Sequence, residues 1–149
     1  MIRRMATDES IAVADVWHRA GLAEYTYLPT WQAFPLIEAR RVFRDVILAR
    51  CEIWVAVEED VPVGYLALDG NYIDRLYVDP DHQHKGWGRA LLEQAMRVRP
   101  QGLELHTHQA NRRARDFYEH HGFKAVRFGI SAAPESAPDV EYHWRPAAG

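Results

Sequence analysis

Two glycines and two basic side chains stand together where an apolar stretch changes into a helical pattern. Residues 76–78 form an apolar run that a proline soon ends, and Gly86 and Gly88 precede the run Ala-Leu-Leu. When a strand passes through a glycine loop into a helix, the first N–H groups lack intrahelical partners and the helix dipole places partial positive charge there. Glycine lets the backbone approach a ligand closely, and Lys85 and Arg89 supply charges that suit a phosphate. The segment therefore predicts an anion-binding loop.

Two known phosphate-binding patterns do not fit this loop. A P-loop requires Lys and then Ser or Thr after its last glycine, whereas Arg89 and Ala90 follow Gly88. A dinucleotide-binding fingerprint requires a third glycine at the position that Leu91 occupies here. A strand-to-helix turn that simply needs two glycines remains the alternative.

A second motif follows one strand later and reads Asn111-x-x-Ala114-Arg115-x-Phe117-Tyr118-Glu119-x-x-Gly122-Phe123. The loop itself reads Val78-x-Pro80-x-x-Gln83-x-x-Gly86-x-Gly88. In this order and at this separation, the two motifs resemble those of the GCN5-related N-acetyltransferase (GNAT) family. Motifs carry the resemblance from about Ile53 to Ile130, and element order alone carries it elsewhere. It implies an acetyl-CoA-dependent N-acetyltransferase that moves an acetyl group directly to a primary amine of a small molecule, protein or peptide.

The family resemblance also implies contacts to the coenzyme. Backbone groups of residues 76–78 would pair with the pantetheine arm, for which a splayed strand next to residues 103–108 leaves room. N–H groups from His84 through Arg89 would hold the pyrophosphate. The implied coenzyme-binding residues are Leu76, Tyr77, Val78, Gln83, His84, Lys85, Gly86, Trp87, Gly88, Arg89, Asn111 and Tyr118. Arg112, Arg113 and Arg115 are open to two interpretations, a contact to the 3′-phosphate or a solvated helix face.

The resemblance further implies how the reaction proceeds. The Tyr118 hydroxyl would donate a proton to the departing sulfur, and the N–H of Val78, at the bulged end of its strand, would polarise the acetyl carbonyl. The acceptor ammonium must first lose a proton. Some relatives have a catalytic Glu where this chain has Tyr72, and others have one where it has His106; Asp74 shares a strand face with Tyr72. We prefer His106 as the base, because the reference pKa of histidine, about 6.5, suits neutral pH.

Aromatic side chains outside the two motifs are the candidates for an acceptor pocket. They are Tyr25, Tyr27, Trp31, Phe34, Tyr72, Tyr142 and Trp144. Loops commonly carry specificity, and packing against the sheet is the alternative interpretation for each aromatic residue, including Tyr118. The sequence does not identify the acceptor.

The remaining polar residues have simpler interpretations. His106 and His108 share a strand face with Glu104, but the spacing supplies no further ligand, so no metal is expected. Cys51 is interpreted as a packing residue, because direct transfer needs no nucleophile. The missing Glu at position 72 leaves a second function open, a catalytically silent acyl-CoA-binding sensor or partner module.

Length and composition describe an ordinary globular protein. The 149 residues are 48% hydrophobic and 26% charged, and we interpret them as one N-acetyltransferase domain over residues 1–149. The formal net charge of −3 argues against a nucleic-acid partner. No apolar run is long enough to span a bilayer, so no membrane association is expected. The single cysteine cannot form an intramolecular disulfide, which favours a cytoplasmic location.

Hydrophobic periodicity predicts the element order β-α-α-β-β-β-α-β-α-β-β. The strands are predicted at residues 2–5, 52–58, 63–68, 72–78, 103–108, 123–130 and 140–145, with a loop at 131–139. The first helix is predicted to end at Gly21. The order predicts an α+β (three-layer α/β) fold of the GNAT type, with a mixed, mostly antiparallel sheet of six to seven strands and about four flanking helices. The last strand is expected at a sheet edge, where pairing between two copies would give a homodimer.

Overall fold

The computed structural model describes residues 1–133 and 135–146; Pro134, in the predicted 131–139 loop, and residues 147–149 lie outside the described residues. The strands are β1 (Ile2–Arg4), β2 (Glu52–Glu58), β3 (Val61–Asp69), β4 (Tyr72–Val78), β5 (Leu103–His108), β6 (Lys124–Ile130) and β7 (Pro138–Trp144). The helices are α1 (Ser10–Glu24), α2 (Pro29–Gln32), α3 (Leu36–Val42), α4 (Leu48–Arg50), α5 (Trp87–Val98) and α6 (Arg112–His120). A π-helical turn, Phe43–Ile47, joins α3 to α4, so that these form one continuous helix.

All seven strands form one sheet in the order β1-β2-β3-β4-β5-β7-β6. Only the β4–β5 pair is parallel, and the others are antiparallel. Every side chain from Pro62 to Leu68 in β3 is buried, because helices cover both faces of the sheet there. The predicted mixed, mostly antiparallel sheet with flanking helices is confirmed.

Two hydrophobic clusters lie on opposite faces of the sheet. One packs α5 and α6 against the sheet around Leu91, Leu105 and Tyr142. The other packs α1 and α3 against it around Trp17 and Phe43. The sheet therefore separates the face that carries the glycine loop from the face that carries the aromatic segment.

Two sequence predictions about this architecture are wrong. Gly21 does not end α1 but lies inside it, where an added Cβ would stand 2.2 Å from the Trp31 ring, so the glycine serves close packing. The last strand is not at the edge, since β7 pairs with β5 on one side and with β6 on the other. The edge strands are β1 and β6, and in β6 Val126, Phe128 and Ile130 are 48%, 58% and 73% exposed.

Within the described residues, no helix combines the length and the apolar character that crossing a membrane requires.

Candidate active site

The glycine loop joins β4 to α5 through a turn that its own side chains stabilise. The Asp79 carboxylate accepts the N–H of Asp81 at 3.0 Å and a bond from Arg19 Nε of α1 at 2.8 Å. His84 and Gly86 both have positive φ, 65° and 87°, and Gly86 is the residue just before α5. The first helical bond runs from Ala90 N–H to Gly86 C=O at 3.0 Å. The N–H groups of residues 87–89 therefore have no acceptor within the helix and are available to an anion.

These N–H groups face a cavity of about 600 Å³ between the loop, the end of β4 and α6. Ten of the implied coenzyme residues line it: Leu76, Tyr77, Val78, Gln83, His84, Gly86, Trp87, Gly88, Arg89 and Tyr118. Lys85 does not, because its ammonium pairs with Glu58 at 3.1 Å. Of the three arginines considered for the 3′-phosphate, Arg113 lines the cavity, while Arg112 pairs with Asp116 and Arg115 donates to Tyr142. The predicted anion loop thus opens onto a cavity that the second motif closes.

A wedge between β4 and β5 connects this cavity to the other face of the sheet. Within the described residues the two strands pair at Tyr72 and Glu104, and beyond that pair they diverge around a space of about 60 Å³. Asp79 N–H bonds to Val63 C=O at 2.7 Å, so the Gly64–Val78 pair is of the non-hydrogen-bonded type. The backbone groups of Val78 consequently point away from β3, toward the wedge. The β4 bulge, however, lies at Asp74 and not at Val78, since Leu68 faces Ile73 and Ala67 faces Arg75.

Tyr118 of α6 lines both the cavity of about 600 Å³ at the glycine loop, called the coenzyme cavity below, and the wedge. It is 8% exposed, and its ring packs against Phe123 and Tyr142. No hydrogen-bond partner of its hydroxyl is found in the part of the chain that the structure describes. Burial raises the pKa of Tyr118 far above that of a free tyrosine, and the charge of Glu24 acts in the same direction. The hydroxyl therefore stays protonated and is available as a hydrogen-bond donor.

Asn111 caps α6 as predicted, because its Oδ1 accepts the N–H of Ala114 at 3.1 Å. Its Nδ2 donates to the carboxylate of Glu24 at 2.9 Å, so both ends of the amide are engaged within the protein. Asn111 lines the wedge rather than the coenzyme cavity. Glu24, the last residue of α1, lines both spaces and was missed in the sequence, where an acidic residue at a helix end carries no distinguishing signal.

Burial raises the pKa of Glu24, and the hydrogen bond from Asn111 offsets part of that effect. Unfolding exposes the carboxyl, which then loses its proton near pH 4.5, whereas the folded carboxyl keeps it to higher pH. The wild-type protein therefore loses stability as the pH rises through this window. A Glu24→Gln variant does not titrate, so its melting temperature relative to wild type is expected to rise between pH 4 and pH 7.5. Equal differences at both pH values would contradict the assignment.

A third cavity, of about 560 Å³, lies on the opposite face of the sheet under α1 and α2. Its walls include the predicted acceptor residues Tyr25, Trp31, Phe34 and Tyr72. Its polar lining comes from Asp74, Arg75, His106, His108, Glu135 and Asp139. Tyr25, Asp74, Tyr77, His106 and Thr107 line both this cavity and the wedge. The wedge therefore connects it to the coenzyme side.

Tyr142 and Trp144 are not part of this cavity, which corrects the sequence prediction. Tyr142 is fully buried in the core beneath α6, and its hydroxyl bonds to Arg115 and Glu119. Trp144 packs near Phe123 and against Gly122. Because β7 lies inside the sheet, its aromatic residues fill the core on the side of α6.

Histidines of β5 link several segments around the third cavity. The His106 Nδ1 lies 2.8 Å from the Tyr72 hydroxyl, and its Nε2 lies 3.5 Å from Glu141. The His108 ring bonds to the Tyr27 hydroxyl at 2.9 Å and to the Glu135 carboxylate at 2.7 Å. Tyr27 is therefore not a lining residue of the cavity but bonds to His108, which is one. The bond from His108 lowers the pKa of Glu135 and so favours its charged form.

Asp74, the other base considered, lies between two guanidiniums. Its carboxylate is 3.1 Å from Arg50 Nη2 and 3.3 Å from Arg75 Nη1. Both arginines would lose part of their counterion if Asp74 took a proton. Among residues 1–133 and 135–146, no three metal-binding side chains lie close enough together to hold an ion.

Comparisons with known proteins agree with one another. Residues 49–125 match the family model described as an acetyltransferase (GNAT) domain. The chain is 34% identical over 126 residues to the peptidyl-lysine N-acetyltransferase YjaB of Salmonella typhimurium. The aligned region covers 84% of this chain and 83% of that protein. The solution structure of apo YjaB from Escherichia coli superposes with a TM-score of 0.80 at 30% identity, over 97% and 96% of the two chains. A Thermoplasma acidophilum PaiA N-acetyltransferase in complex with coenzyme A has the same fold, with a TM-score of 0.76 at 17% identity over 98% of each chain.

Proposed function

This chain belongs to the GCN5-related N-acetyltransferase family, and we propose that its acceptor is a lysine side chain of a protein or peptide. It is an acetyl-CoA-dependent N-acetyltransferase. One observation supports a direct transfer most strongly: the wedge that Tyr118 and Tyr77 line shares residues both with the cavity at the glycine loop and with the cavity on the opposite face of the sheet. The thioester of acetyl-CoA would lie in the wedge, with the rest of the coenzyme on one side of the sheet and the attacking amine on the other.

The residues on the coenzyme side fit a diphosphate. Three N–H groups at the start of α5 have no helical acceptor, and Gly86 and Gly88, on either side of Trp87, add no side chain beside them. Pantetheine would lie along β4, where the backbone of Leu76 and Val78 faces the wedge. Arg113 is the proposed partner of the 3′-phosphate, whereas Lys85 is already paired with Glu58 and contributes less than the sequence suggested.

Acetyl-CoA supplies an activated acetyl group, and the protein supplies three polar groups around it. The N–H of Val78 is directed toward the wedge and would donate to the carbonyl oxygen as negative charge develops. The Tyr118 hydroxyl would donate a hydrogen bond to the departing sulfur. His106 lines the third cavity, where the acceptor would bind, and would take the proton that the acceptor ammonium must lose. It is preferred to Asp74, whose carboxylate two arginines already hold.

A cationic acceptor fits the charge of the third cavity. Three carboxylates, those of Asp74, Glu135 and Asp139, line it with one guanidinium, that of Arg75. Aromatic rings form a large part of its walls, and such rings attract an ammonium group and pack against a lysine stem. The name of the YjaB relatives, peptidyl-lysine N-acetyltransferases, agrees with such an acceptor.

The proposal is tested by incubating the purified protein with acetyl-CoA and a peptide that carries one lysine and a blocked N-terminus. We expect release of free thiol together with one acetyl group on the lysine. The matched control is the same peptide with norleucine for lysine and a free N-terminus. Acetylation of the control alone would contradict a lysine acceptor. If no thiol is released while acetyl-CoA still raises the melting temperature, the silent coenzyme-binding module is the correct interpretation.

Two predictions about the whole protein remain predictions. The homodimer was inferred from an edge at β7, whereas the edge strands of the sheet are β1 and β6, and β6 carries three exposed apolar side chains. Sedimentation at several concentrations distinguishes a monomer from a dimer. The cytoplasmic location rests on the single cysteine, Cys51, which is free.

A further inference from the structure

Acetyl transfer removes two protons from the acceptor nitrogen, and His106 is the proposed base for only one of them. A lysine ammonium loses the first proton before it can attack. When the neutral amine bonds to the acetyl carbon, the nitrogen becomes positively charged again, and it loses the second proton as the amide forms. That second proton is released in the wedge, where the thioester would lie. A group that lines the wedge is therefore needed to accept it.

Among the described residues, three side chains that line the wedge can take up a proton near neutral pH: Glu24, Asp74 and His106. Asp74 is held between two guanidiniums, which favour its charged form. His106 carries the first proton at this stage of the reaction. The tyrosine hydroxyls of the wedge keep their own protons, because burial raises their pKa. Glu24 is the carboxylate that remains.

Glu24, the last residue of α1, lines both the wedge and the coenzyme cavity. Its Oε1 accepts a hydrogen bond from Asn111 Nδ2 at 2.9 Å, and Asn111 is itself fixed because its Oδ1 caps α6. The other oxygen, Oε2, makes no hydrogen bond within the described chain, and it is not sealed from solvent. The carboxylate is thus held in one orientation with one oxygen open to the site.

The surroundings of Glu24 suit a carboxylate that gains and loses a proton. Burial raises its pKa, which makes it a stronger base than an exposed glutamate. The hydrogen bond from Asn111 and the charges of Arg113 and His108 oppose this rise and favour the ionised form. The remaining titratable groups around it are hydroxyls whose pKa is raised first by burial and further by the charge of Glu24: Tyr25, Tyr27, Tyr77 and Tyr118.

We propose that Glu24 takes the second proton from the acceptor nitrogen and delivers it to the sulfur of coenzyme A. The nitrogen lone pair forms the N–C bond, and the carbonyl π electrons move to the oxygen beside the N–H of Val78. Glu24 Oε2 then removes the proton from the nitrogen, and the C–S bond breaks with its electron pair moving to the sulfur.

The neutral carboxyl returns this proton to the thiolate, so Glu24 ends the cycle ionised. Of the two protons that the ammonium loses, one leaves through His106 and the other ends on the thiol. This inference rests on the proposed function and adds a catalytic residue to it.

Two peptide acceptors distinguish the two bases. A lysine peptide must lose both protons, whereas the same peptide with 5,5-difluorolysine has an ε-amine that is largely neutral at about pH 8.5 and must lose only the second. Glu24→Gln keeps an oxygen for Asn111 but cannot take a proton, and it should lower kcat at least about tenfold for both peptides. His106→Gln should lower kcat for the lysine peptide and change it less than about threefold for the difluorolysine peptide.

Asp116→Asn is the matched control, because Asp116 is a carboxylate that lines the coenzyme cavity but not the wedge. It should keep kcat within about twofold at saturating acetyl-CoA. Calorimetry should find the acetyl-CoA affinity of Glu24→Gln within about threefold of wild type. A loss of affinity with kcat retained would mean that Glu24 only binds the coenzyme, and would overturn the inference.

Two further results would overturn the inference while the proposed function stands. One is a Glu24→Gln enzyme that keeps more than a third of wild-type kcat on both peptides. The other is a loss of kcat confined to the lysine peptide, which would assign Glu24 to the first proton. If the wild-type protein acetylates neither peptide, the proposed function itself fails, and the inference fails with it.

Discussion

Replacing Tyr118 by Phe is expected to lower kcat by at least about 100-fold, or about 2.7 kcal/mol in the activation barrier, while acetyl-CoA affinity changes by less than about threefold. The substitution removes one oxygen and leaves the ring packed against Phe123 and Tyr142. Because burial keeps the hydroxyl protonated, its proposed role is to stabilise the departing thiolate through a hydrogen bond. That interaction strengthens as charge reaches the sulfur, so its loss appears in turnover more than in binding.

Steady-state thiol release measures kcat, and calorimetry measures coenzyme affinity. Tyr65→Phe is the matched control, since Tyr65 is also fully buried, its hydroxyl has no partner in the described chain, and it does not line any of the three cavities. This control should keep kcat within about twofold. A Tyr118→Phe enzyme with more than a third of wild-type kcat would remove the hydroxyl from the mechanism. The same assay tests His106, because His106→Gln should lower kcat while it leaves acetyl-CoA affinity unchanged.

The features that the sequence predicted correctly depend on neighbours along the chain. The glycine loop, the Asn111 cap and the hairpins of the β2–β3–β4 meander are each determined within a few residues. Turn residues and capping side chains act locally, so a pattern of types is sufficient to locate them. The family motifs lie in these segments, which explains why the loop and the helix cap were located correctly.

Predictions failed where distant segments compete for one position. Both β6 and β7 alternate apolar and polar residues, and nothing local indicates that β7 enters the sheet between β5 and β6. The apolar residues of β6 resemble core residues in the sequence, yet Phe128 is 58% exposed. Gly21 was interpreted as the end of α1 because a glycine after an apolar helical stripe commonly ends a helix. The structure requires glycine at this position for another reason: the Trp31 ring of α2 leaves no room for a Cβ. Strand order and close packing are long-range properties.

The acceptor side shows the same limit for a functional site. Its polar lining comes from β4, β5, the segment before β7 and β7 itself, and the His108–Glu135 bond joins residues 27 positions apart. Asp74 and Arg75 carry no pattern that distinguishes them from ordinary strand residues. Both line this cavity because the bulge at Asp74 places consecutive side chains on one side. A bulge of this kind follows from pairing between strands and is not written in either strand alone.

The substitution Gly88→Glu is expected to reduce acetyl-CoA affinity by at least about 100-fold, or about 2.7 kcal/mol, without unfolding the protein. Gly88 lies in the first turn of α5 and lines the coenzyme cavity. A Cβ there would be in ordinary contact, 3.7 Å from the Phe117 ring and 3.9 Å from Val78, so the fold accepts a side chain. A carboxylate would occupy the N–H groups proposed for the diphosphate and repel it, and an acidic residue at a helix N-terminus is itself favourable.

Size and charge are separated by two further variants at the same position. Gly88→Ala adds only a methyl group and should change affinity by less than about fivefold, and Gly88→Gln has the volume of Glu without its charge and should fall between the two. Calorimetry gives the affinities, and thermal melts without ligand should agree within a few degrees for all variants. If Gly88→Glu binds acetyl-CoA within about threefold of wild type, the start of α5 does not hold the diphosphate. Because the placement of pantetheine along β4 and of the thioester in the wedge follows from that anchor, the assignment of Tyr118 would then have to be abandoned as well.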